Sequence, residues 1–441
     1  MKDMDKIFGN DGFRSEFGKK YMTIDFLTAF SNALSYFLNN SNNNTYPVLI
    51  GRDTRESGKI IEKVISGVLN YFNINVILVG EIPTPGLSYL MSSGEYFLGI
   101  MITASHNPSS DNGIKLFGHD GDKLKNDCER EIEEYILSGS ENEISGKDLL
   151  GKTEEFFDKR KDYFKYLLDL LNINSINKKI LIDCSNGAFS GIVSQAKSFS
   201  SSISFINCSP NGSNINLKCG ALEPGSLLET VRKNHYDYGV AFDGDGDRAI
   251  FVEKDYGVIE TEKLIVLFSK LLATTNNYNM VVSTSICNKG LEENLIDLGI
   301  TLTQTQVGDR NVINEVKRNK GLLGVEPSGH YFFPGNSTSM DGFMAFIYFV
   351  DLINIYGDEL KIILKSLKHY NRIQTDVPIN LYNSSQIREL SAHLNSSIDN
   401  EKEKLVIRES MWDPVLRIYY DYDKVNNYSR IEKILHEFNV N

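Results

Sequence analysis

A polar, turn-rich stretch at residues 103–115 carries side chains that suit phosphoryl transfer. It directly follows an apolar run, and in α/β proteins the loop after a strand is a common place for ligands to bind. The hydroxyl of Ser105 could carry a phosphoryl group, with His106 moving protons and Lys115 neutralising phosphate charge. Taken alone, a Ser-His pair in such a loop is more often a turn former or a cap. Other residues must therefore support the catalytic interpretation.

A second stretch, Asp-Gly-Asp-Gly-Asp-Arg at residues 243–248, lies between two apolar runs. Hard divalent cations take oxygen ligands, and the intervening glycines let one short loop turn Asp243, Asp245 and Asp247 toward a single ion. Carboxylates this close would repel one another strongly without a cation. The pattern favours a Mg²⁺ site between two strands.

Three other interpretations of this aspartate loop can be compared with its amino-acid sequence. An EF-hand loop needs Gly where Arg248 stands and Glu where Lys254 stands. A dinucleotide fingerprint, Gly-x-Gly-x-x-Ala from Gly244, must open a helix, but a β-rich run follows here. A solvated acidic hairpin turn stays an alternative, although turns rarely need three aspartates.

Two further loops carry polar groups that suit sugar and phosphate recognition. The first combines an acid, a hydroxyl and an imidazole, and the second combines two arginines and a serine on a strand-turn-strand pattern. These residues are Glu326, Ser328 and His330 in the first loop, and Arg408, Ser410 and Arg417 in the second. Each loop alone is weak evidence, since an arginine pair is more often a surface salt bridge.

The helices and strands that position these loops can be predicted from the apolar pattern. Helical and strand periodicities alternate along the chain, which predicts a wound α/β fold. Helices are expected at residues 23–38, 61–72, 87–91, 189–199, 263–272 and 291–298. Strands are expected at residues 48–50, 76–79, 97–103, 180–183, 204–207, 281–283 and 301–305, with a turn at residues 83–86. The last part reads as a smaller α+β unit, with strands around Leu405 and Leu416 and helices near Ile387 and Ile431. Polar stretches predict four domains, at residues 1–150, 151–253, 254–368 and 369–441.

Composition excludes several classes of protein. The chain has 441 residues, 41% hydrophobic and 24% charged, which predicts several folded domains. Acidic residues outnumber basic ones by 58 to 46, which disfavours nucleic-acid binding. Five scattered cysteines and an N-terminus without an apolar signal region indicate a reducing cytoplasm. The most apolar stretch, residues 343–356, is too short to cross a bilayer, so we expect no membrane association.

Together the four loops, one per predicted domain and in this order, resemble the α-D-phosphohexomutase family along essentially the whole chain. This resemblance implies three tandem α/β domains with mixed sheets plus a smaller C-terminal α+β domain around a central cleft. It implies that Ser105 carries the phosphoryl group and, with the three aspartates, holds one Mg²⁺ per chain. Arg248 assists at that site, and residues 11–14 place Arg14 near the serine. The stretch at residues 51–55 also matches.

The resemblance further implies a hexose 6-phosphate to hexose 1-phosphate conversion, with a hexose 1,6-bisphosphate as intermediate and activator. The loop of Glu326 would hold the sugar, and the arginine loop would anchor the phosphate that is not reacting. Segments 210–220 and 307–310 are similar to phosphoglucosamine mutases, which implies glucosamine phosphate as substrate and Arg310 as a binding residue.

Two departures from the family pattern lie in the predicted sugar-binding and phosphate-binding loops, which select the substrate. Pro327 replaces the usual Asn or Gln, and Met411-Trp412-Asp413 replaces Gly-Thr-Glu. A phosphoglucomutase or phosphomannomutase, and a non-catalytic sugar-phosphate binding protein, therefore stay as alternatives. The expected partner in every case is a small sugar phosphate, bound by a monomer or a homodimer.

Overall fold

Three α/β units and one smaller unit follow one another along the chain. The computed structural model describes residues 6–40, 46–139, 150–171, 177–194, 202–274, 278–378, 384–399, 402–410, 415–423 and 433. Each unit is built on its own sheet, and the functional loops leave these sheets at strand ends.

The first unit has a six-stranded sheet in the order β1-β5-β4-β2-β3-β6. Its strands are β1 (Phe13–Glu16), β2 (Val48–Arg52), β3 (Val76–Glu81), β4 (Leu98–Ile102), β5 (Asp111–Gly118) and β6 (Thr153–Glu155). Its helices are α1 (Ile24–Asn39), α2 (Glu56–Tyr71), α3 (Thr84–Ser93) and α4 (Asn126–Ser138). Strand β2 pairs in parallel with β3 and β4 and is buried throughout, as expected of a central strand covered on both faces.

The second unit has a five-stranded sheet in the order β11-β10-β9-β7-β8, and the third has a four-stranded sheet in the order β13-β12-β14-β15. Their strands are β7 (Ile180–Asp183), β8 (Ile203–Ile206), β9 (Tyr238–Phe242), β10 (Ala249–Glu253), β11 (Gly257–Ile259), β12 (Met280–Thr284), β13 (Thr301–Thr305), β14 (Leu323–Glu326) and β15 (His330–Phe332). Their helices are α5 (Arg160–Leu170), α6 (Pro224–Lys233), α7 (Thr261–Ala273), α8 (Lys289–Ile296), α9 (Asp309–Asn319), α10 (Gly342–Tyr356) and α11 (Glu359–Ser366). A 3-10 helix at Ala188–Ser194 follows β7.

The fourth unit is a three-stranded antiparallel sheet with one described helix, α12 (Ser384–Ser396). Its strands are β16 (Asn371–Pro378), β17 (Lys404–Glu409) and β18 (Val415–Tyr422), with β18 in the centre. The fold is therefore the predicted one, three α/β units with mixed sheets and a smaller α+β unit.

One continuous hydrophobic core joins the second and third units. Three aromatic rings lie at its centre, with centroids 4.7 Å apart for Phe189 and Phe242 and 5.4 Å apart for Phe189 and Phe343. Phe242 ends β9 and directly precedes the aspartate loop. The aspartate loop thus follows directly from this shared hydrophobic core.

Several sequence predictions differ from the structure. Residues 83–86 were expected to form a turn, but α3 begins at Thr84, because a proline in the first helical turn removes an N–H that has no partner there. The helix expected at 189–199 is a 3-10 helix over its described part, and residues 195–201 and the helix near Ile431 lie outside the described residues.

The first two sheets extend past the domain borders expected at residues 150 and 253. Strand β6 pairs with β3, and β11 pairs with β10. Among the helices that the structure describes, none has the length and apolar character needed to cross a membrane.

Candidate active site

Ser105 lies three residues beyond the end of β4 and is fully buried. Its backbone has a φ of 51°, in the left-handed region that costs energy for a residue with a side chain. The Ser105 N–H donates to Thr103 Oγ1 at 2.8 Å. The hydroxyl donates to Asp243 Oδ2 at 2.6 Å and lies 3.3 Å from His106 Nδ1. This strained conformation points the serine at the aspartate loop.

Asp243, Asp245 and Asp247 are buried in the turn between β9 and β10, each with an oxygen within 4.8 Å of the others. Burial, followed by repulsion from Asp247 and Asp245, raises the pKa of Asp243 to about 8. Gly246 has a φ of 76°, and a Cβ there would lie 2.3 Å from the Phe189 ring. Among the described residues, the buried Asp245 Oδ1 accepts no hydrogen bond. These carboxylates fit a divalent cation.

Lys115 reaches the same aspartates from β5. Its Nζ lies 2.8 Å from both Asp245 Oδ2 and Asp247 Oδ2, and 3.0 Å from Asp11 Oδ2. Burial would lower the pKa of Lys115, but these three carboxylates raise it well above its usual value. Lys115 therefore neutralises carboxylate charge in this structure.

His106 is the group best placed to move a proton to or from Ser105. Burial, and then the charges of Arg248 and Arg14, lower the pKa of His106 to about 2. The imidazole is therefore neutral. Arg14 forms an ion pair with Asp11 beside it.

The turn between β14 and β15 carries Glu326, Ser328 and His330. His330 Nδ1 lies 3.0 Å from Glu326 Oε2 and 2.9 Å from Ser328 Oγ, and its Nε2 lies 3.3 Å from Asp247 Oδ1. Burial and Arg248 lower the pKa of His330, but Asp247 and Glu326 outweigh them and raise it to about 9. Arg248 Nε lies 3.1 Å from the same Nε2. Both Asp247 Oδ1 and Arg248 Nε are therefore neighbours of His330 Nε2. Because the raised pKa keeps this nitrogen protonated, it donates to Asp247 and does not accept from Arg248.

In the fourth unit, Arg408 on β17 is opposite Arg417 on β18, so both side chains lie on one face of the sheet. The ring centre of Tyr419, two residues along β18, lies 5.8 Å from the guanidinium carbon of Arg408 and 5.8 Å from that of Arg372. Arg417 Nε lies 3.5 Å from Asp376 Oδ2. This face therefore concentrates positive charge.

A cleft of about 790 Å³ lies between the four units. It is lined by nine of the predicted residues: Arg14, His106, Arg248, Glu326, Ser328, His330, Arg408, Ser410 and Arg417. Five predicted residues are buried behind this wall: Ser105, Lys115 and the three aspartates. All of these except Asp245 contact a described residue that lines the cleft. Residues 411–413, the divergent part of the predicted phosphate loop, lie outside the described residues.

Arg310 is the predicted site residue that the structure places elsewhere. Its Nη2 lies 2.6 Å from Glu129 Oε1 and its Nη1 2.8 Å from Glu129 Oε2, on α4 of the first unit. The neighbouring Gly308 and Asp309 line the cleft, whereas Arg310 is not among the described lining residues. In this structure Arg310 forms an ion pair between units, and its predicted contact with the substrate stays a prediction.

Sequence reasoning did not single out several residues of this region. Arg372, Gln374 and Tyr419 line the cleft. The two-residue spacing of Arg372 and Gln374 on β16, and of Arg417 and Tyr419 on β18, was the available signal, because alternate residues of a strand share a face.

Thr84 was also missed. Its hydroxyl donates to Asp245 Oδ2 at 2.5 Å and its N–H to the Asp245 carbonyl oxygen at 2.8 Å. The start of α3 thus supports the aspartate loop.

Comparison with known proteins places the chain in context. Family profiles described as alpha/beta/alpha domains I, II and III of phosphoglucomutase/phosphomannomutase match residues 5–143, 156–257 and 260–370. The chain is 32% identical over 426 residues to the phosphoglucosamine mutase of Staphylococcus epidermidis, covering 94% of each chain.

Solved structures share the fold. A phosphoglucomutase/phosphomannomutase family protein from Burkholderia thailandensis superposes with a TM-score of 0.81 at 20% identity, covering 98% of this chain and 96% of that one. An Aspergillus fumigatus N-acetylphosphoglucosamine mutase, in complex with GlcNAc-6P and magnesium, gives a TM-score of 0.63 at 14% identity, covering 99% and 96%.

Proposed function

The chain belongs to the phosphoglucomutase/phosphomannomutase family, and from that premise we propose that it interconverts glucosamine 6-phosphate and glucosamine 1-phosphate. Family membership makes it a hexose phosphate mutase, an isomerase. The observation that carries the proposal is the 2.6 Å contact between Ser105 Oγ and Asp243 Oδ2 behind the cleft wall, which joins the phosphoryl carrier to the aspartate cluster. The S. epidermidis relative supports the amino sugar.

In the proposed reaction, phosphorylated Ser105 transfers its phosphoryl group to the free hydroxyl of the hexose monophosphate. The neutral His106, 3.3 Å from Ser105 Oγ, takes the proton of that hydroxyl and gives it to the serine oxygen. The product is a hexose 1,6-bisphosphate, which turns around in the cleft and returns its other phosphate to Ser105. The same bisphosphate, added from outside, would phosphorylate a resting enzyme.

Ser105 and the three aspartates would hold one Mg²⁺, supplying Lewis-acid stabilisation of the charge on the phosphoryl group. Asp245 Oδ1, which accepts no hydrogen bond from the part of the chain that the structure describes, supports this assignment. Lys115 limits the repulsion among the carboxylates, two of which lie 2.8 Å from its Nζ. Arg248, which lines the cleft beside Asp243, balances the remaining charge.

The cleft also supplies groups for the rest of the substrate. Arg408, Ser410 and Arg417 would bind the phosphate that is not reacting, against the repulsion expected from a net charge of −12. The sugar would lie against Glu326 and Ser328. Burial raises the pKa of Glu326, but its contact with His330 lowers it below the usual value, so this residue offers an anionic partner to an amine.

A ³¹P NMR turnover panel tests the proposal, using glucosamine, glucose and mannose 6-phosphates with Mg²⁺ and a trace of the bisphosphate. We expect glucosamine 6-phosphate to react fastest. A faster neutral hexose would keep the reaction class and make the chain a phosphoglucomutase or phosphomannomutase, as the family name allows. Absence of turnover with all three would favour the non-catalytic binding protein.

Ser105→Ala should remove turnover, because no other described hydroxyl contacts both the aspartate loop and His106. Ser110→Ala is the matched control, since Ser110 is exposed in the same loop and contacts Asp111. Turnover by Ser105→Ala at the rate of Ser110→Ala would contradict the assignment of the carrier.

A further inference from the structure

We propose that Asn216 is a positioning residue that fixes the Ser105 loop against the aspartate loop, and that it acts on the transfer step and not on the choice of sugar. Asn216 belongs to segment 210–220, whose pattern is similar to phosphoglucosamine mutases. The inference rests on the proposed function, because it assigns the segment a part in the chemistry of Ser105.

The Ser105 loop is held through two backbone carbonyl groups. Asn216 Nδ2 donates to the carbonyl oxygen of Ser105 at 2.8 Å and to that of Asn107 at 3.1 Å. Arg55 Nη2 donates to the same two oxygens, at 2.9 Å and 2.8 Å. A carbonyl oxygen has two lone pairs. Each oxygen is therefore satisfied by one donor from the first unit and one from the second.

Arg55 anchors this clamp within the first unit. Its side chain is fully buried, and its Nε lies 2.9 Å from Asp53 Oδ2. The same Asp53 oxygen accepts the hydroxyl of Thr103 at 2.7 Å, and Thr103 Oγ1 in turn accepts the Ser105 N–H. The loop therefore cannot move relative to its own sheet without breaking buried polar contacts.

Asn216 anchors the clamp to the sheet of the second unit. Its N–H donates to the Ser185 carbonyl oxygen at 2.9 Å. Asp183, the last residue of β7, accepts the N–H groups of Ser185 at 2.8 Å and Gly220 at 3.0 Å. Because β7 pairs directly with β9, which leads into Asp243, the amide is fixed to the strand that carries the aspartate loop.

The two loops also touch at Gly244. A Cβ at this position would lie 2.7 Å from the Ser105 carbonyl oxygen and 2.9 Å from Asn216 Nδ2. The two loops are therefore closely packed at Gly244. Loss of the Asn216 amide should therefore disturb the alignment of Ser105 Oγ with Asp243, to which phosphoryl transfer is sensitive. Asn216 is not among the described residues that line the cleft, so substrate binding should not change.

The experiment compares Asn216→Gly with Lys218→Gly. Asn216 has a φ of 58°, which glycine tolerates, so this variant removes the amide without backbone strain. Lys218 is exposed in the same segment with a φ of 54° and is the matched control. Asn216→Asp, which keeps the side-chain size but loses both donors, is the second variant.

We expect kcat to fall about 10-fold to 100-fold in both Asn216 variants, with KM and the glucosamine-to-glucose preference within about two-fold of the unmodified enzyme. Phosphorylation of Ser105 by the bisphosphate should slow by the same factor. Lys218→Gly should behave like the unmodified enzyme. An unchanged kcat, or a changed sugar preference at unchanged kcat, would overturn the inference.

Hydrogen exchange separates this inference from the proposed function. The backbone amides at residues 105–111 should exchange faster in Asn216→Gly than in Lys218→Gly, whether or not the protein turns over a hexose phosphate. Equal protection in the two variants would overturn the clamp. Failure of the unmodified protein to react with any hexose phosphate, with the difference in exchange retained, would overturn the proposed function alone.

Discussion

At the scale of single residues, charge decides which group does which task. His106 lies beside Ser105, whereas Lys115 contacts the carboxylates of the aspartate loop, so their surroundings differ. Positive neighbours and burial keep His106 neutral, whereas three carboxylates keep Lys115 charged. The proposed proton movement is therefore assigned to His106 and the neutralisation of charge to Lys115.

Arg417→Ala should raise KM for the hexose phosphate about 10-fold to 100-fold, because a hydrogen bond to a charged group contributes about 1.5–3 kcal/mol. Arg417 lines the cleft on β18. Initial rates across substrate concentrations measure the change. Arg388→Ala, on the exposed part of α12, is the control and should leave KM unaltered. Unchanged KM and kcat in Arg417→Ala would remove this residue from the phosphate site.

At the scale of secondary-structure elements, the ends of helices support the site. Helix α3 begins at Thr84 and presents both its hydroxyl and its N–H to Asp245. Residues that hold a metal ligand in place affect metal affinity without touching the ion. The start of α3 should therefore matter for magnesium binding.

Thr84→Val should weaken Mg²⁺ binding roughly 10-fold to 100-fold, since it leaves Asp245 Oδ2 without the hydroxyl. Titration calorimetry with Mg²⁺, and activity as a function of Mg²⁺ concentration, measure the effect. Ser92→Ala, exposed on the same helix, should bind Mg²⁺ like the unmodified protein. Equal affinities for the two variants would show that α3 does not support the ion.

Asp341 supplies a pH-dependent contribution to stability. It caps α10 by accepting the Met344 N–H at 2.9 Å and accepts the Tyr163 hydroxyl at 2.9 Å. Burial raises its pKa from 3.8 to about 6. Between these values the unfolded chain has lost the proton and the folded chain retains it, so raising the pH favours unfolding by up to about 3 kcal/mol.

Asp341→Asn should remove this pH dependence, because asparagine stays neutral and can also cap a helix. As the pH rises from 4 to 6, Tm of the variant should increase relative to Tm of the unmodified protein. Scanning calorimetry at several pH values measures both. Parallel curves would indicate that Asp341 titrates at its ordinary pKa.

At the scale of the whole molecule, contacts between units determine the shape of the cleft. Lys123 of the first unit pairs with Asp309 of the third. The side chain of Asn288 exchanges hydrogen bonds with the backbone of Tyr370, and Asn294 does so with Lys368. These asparagines fix the connection that leads into β16. Polar contacts between the units thus fix the relative positions of the cleft walls.

Arg310→Ala and Glu129→Ala should lower the unfolding temperature by similar amounts and leave KM unchanged, because the two side chains form one mostly buried ion pair. A double-mutant cycle should give a coupling of about 0.5–3 kcal/mol. Thermal unfolding and steady-state kinetics of the single and double variants measure these quantities. A raised KM in Arg310→Ala alone would support the substrate contact that the sequence predicts.

Much of the fold followed from local patterns. The strand at 301–305 agrees with the structure at both ends, because strand preference is carried by the residues of the strand. Helix α2 starts at Glu56, five residues before the predicted 61, because its first turn is polar and shows no apolar repeat. The domain borders remain predictions.

The sequence by itself identified the candidate groups whose residues are close together along the chain. These are the serine loop after β4 and the three aspartates spaced by glycine. Their chemistry depends on neighbours along the chain, which a local pattern records. Only the tertiary structure decided which loops meet. Lys115 reaches Asp245 across 130 residues, Asn216 reaches Ser105 across 111, and Arg310 turns toward Glu129. Such contacts depend on how the units pack together, and no local spacing of residues encodes that packing.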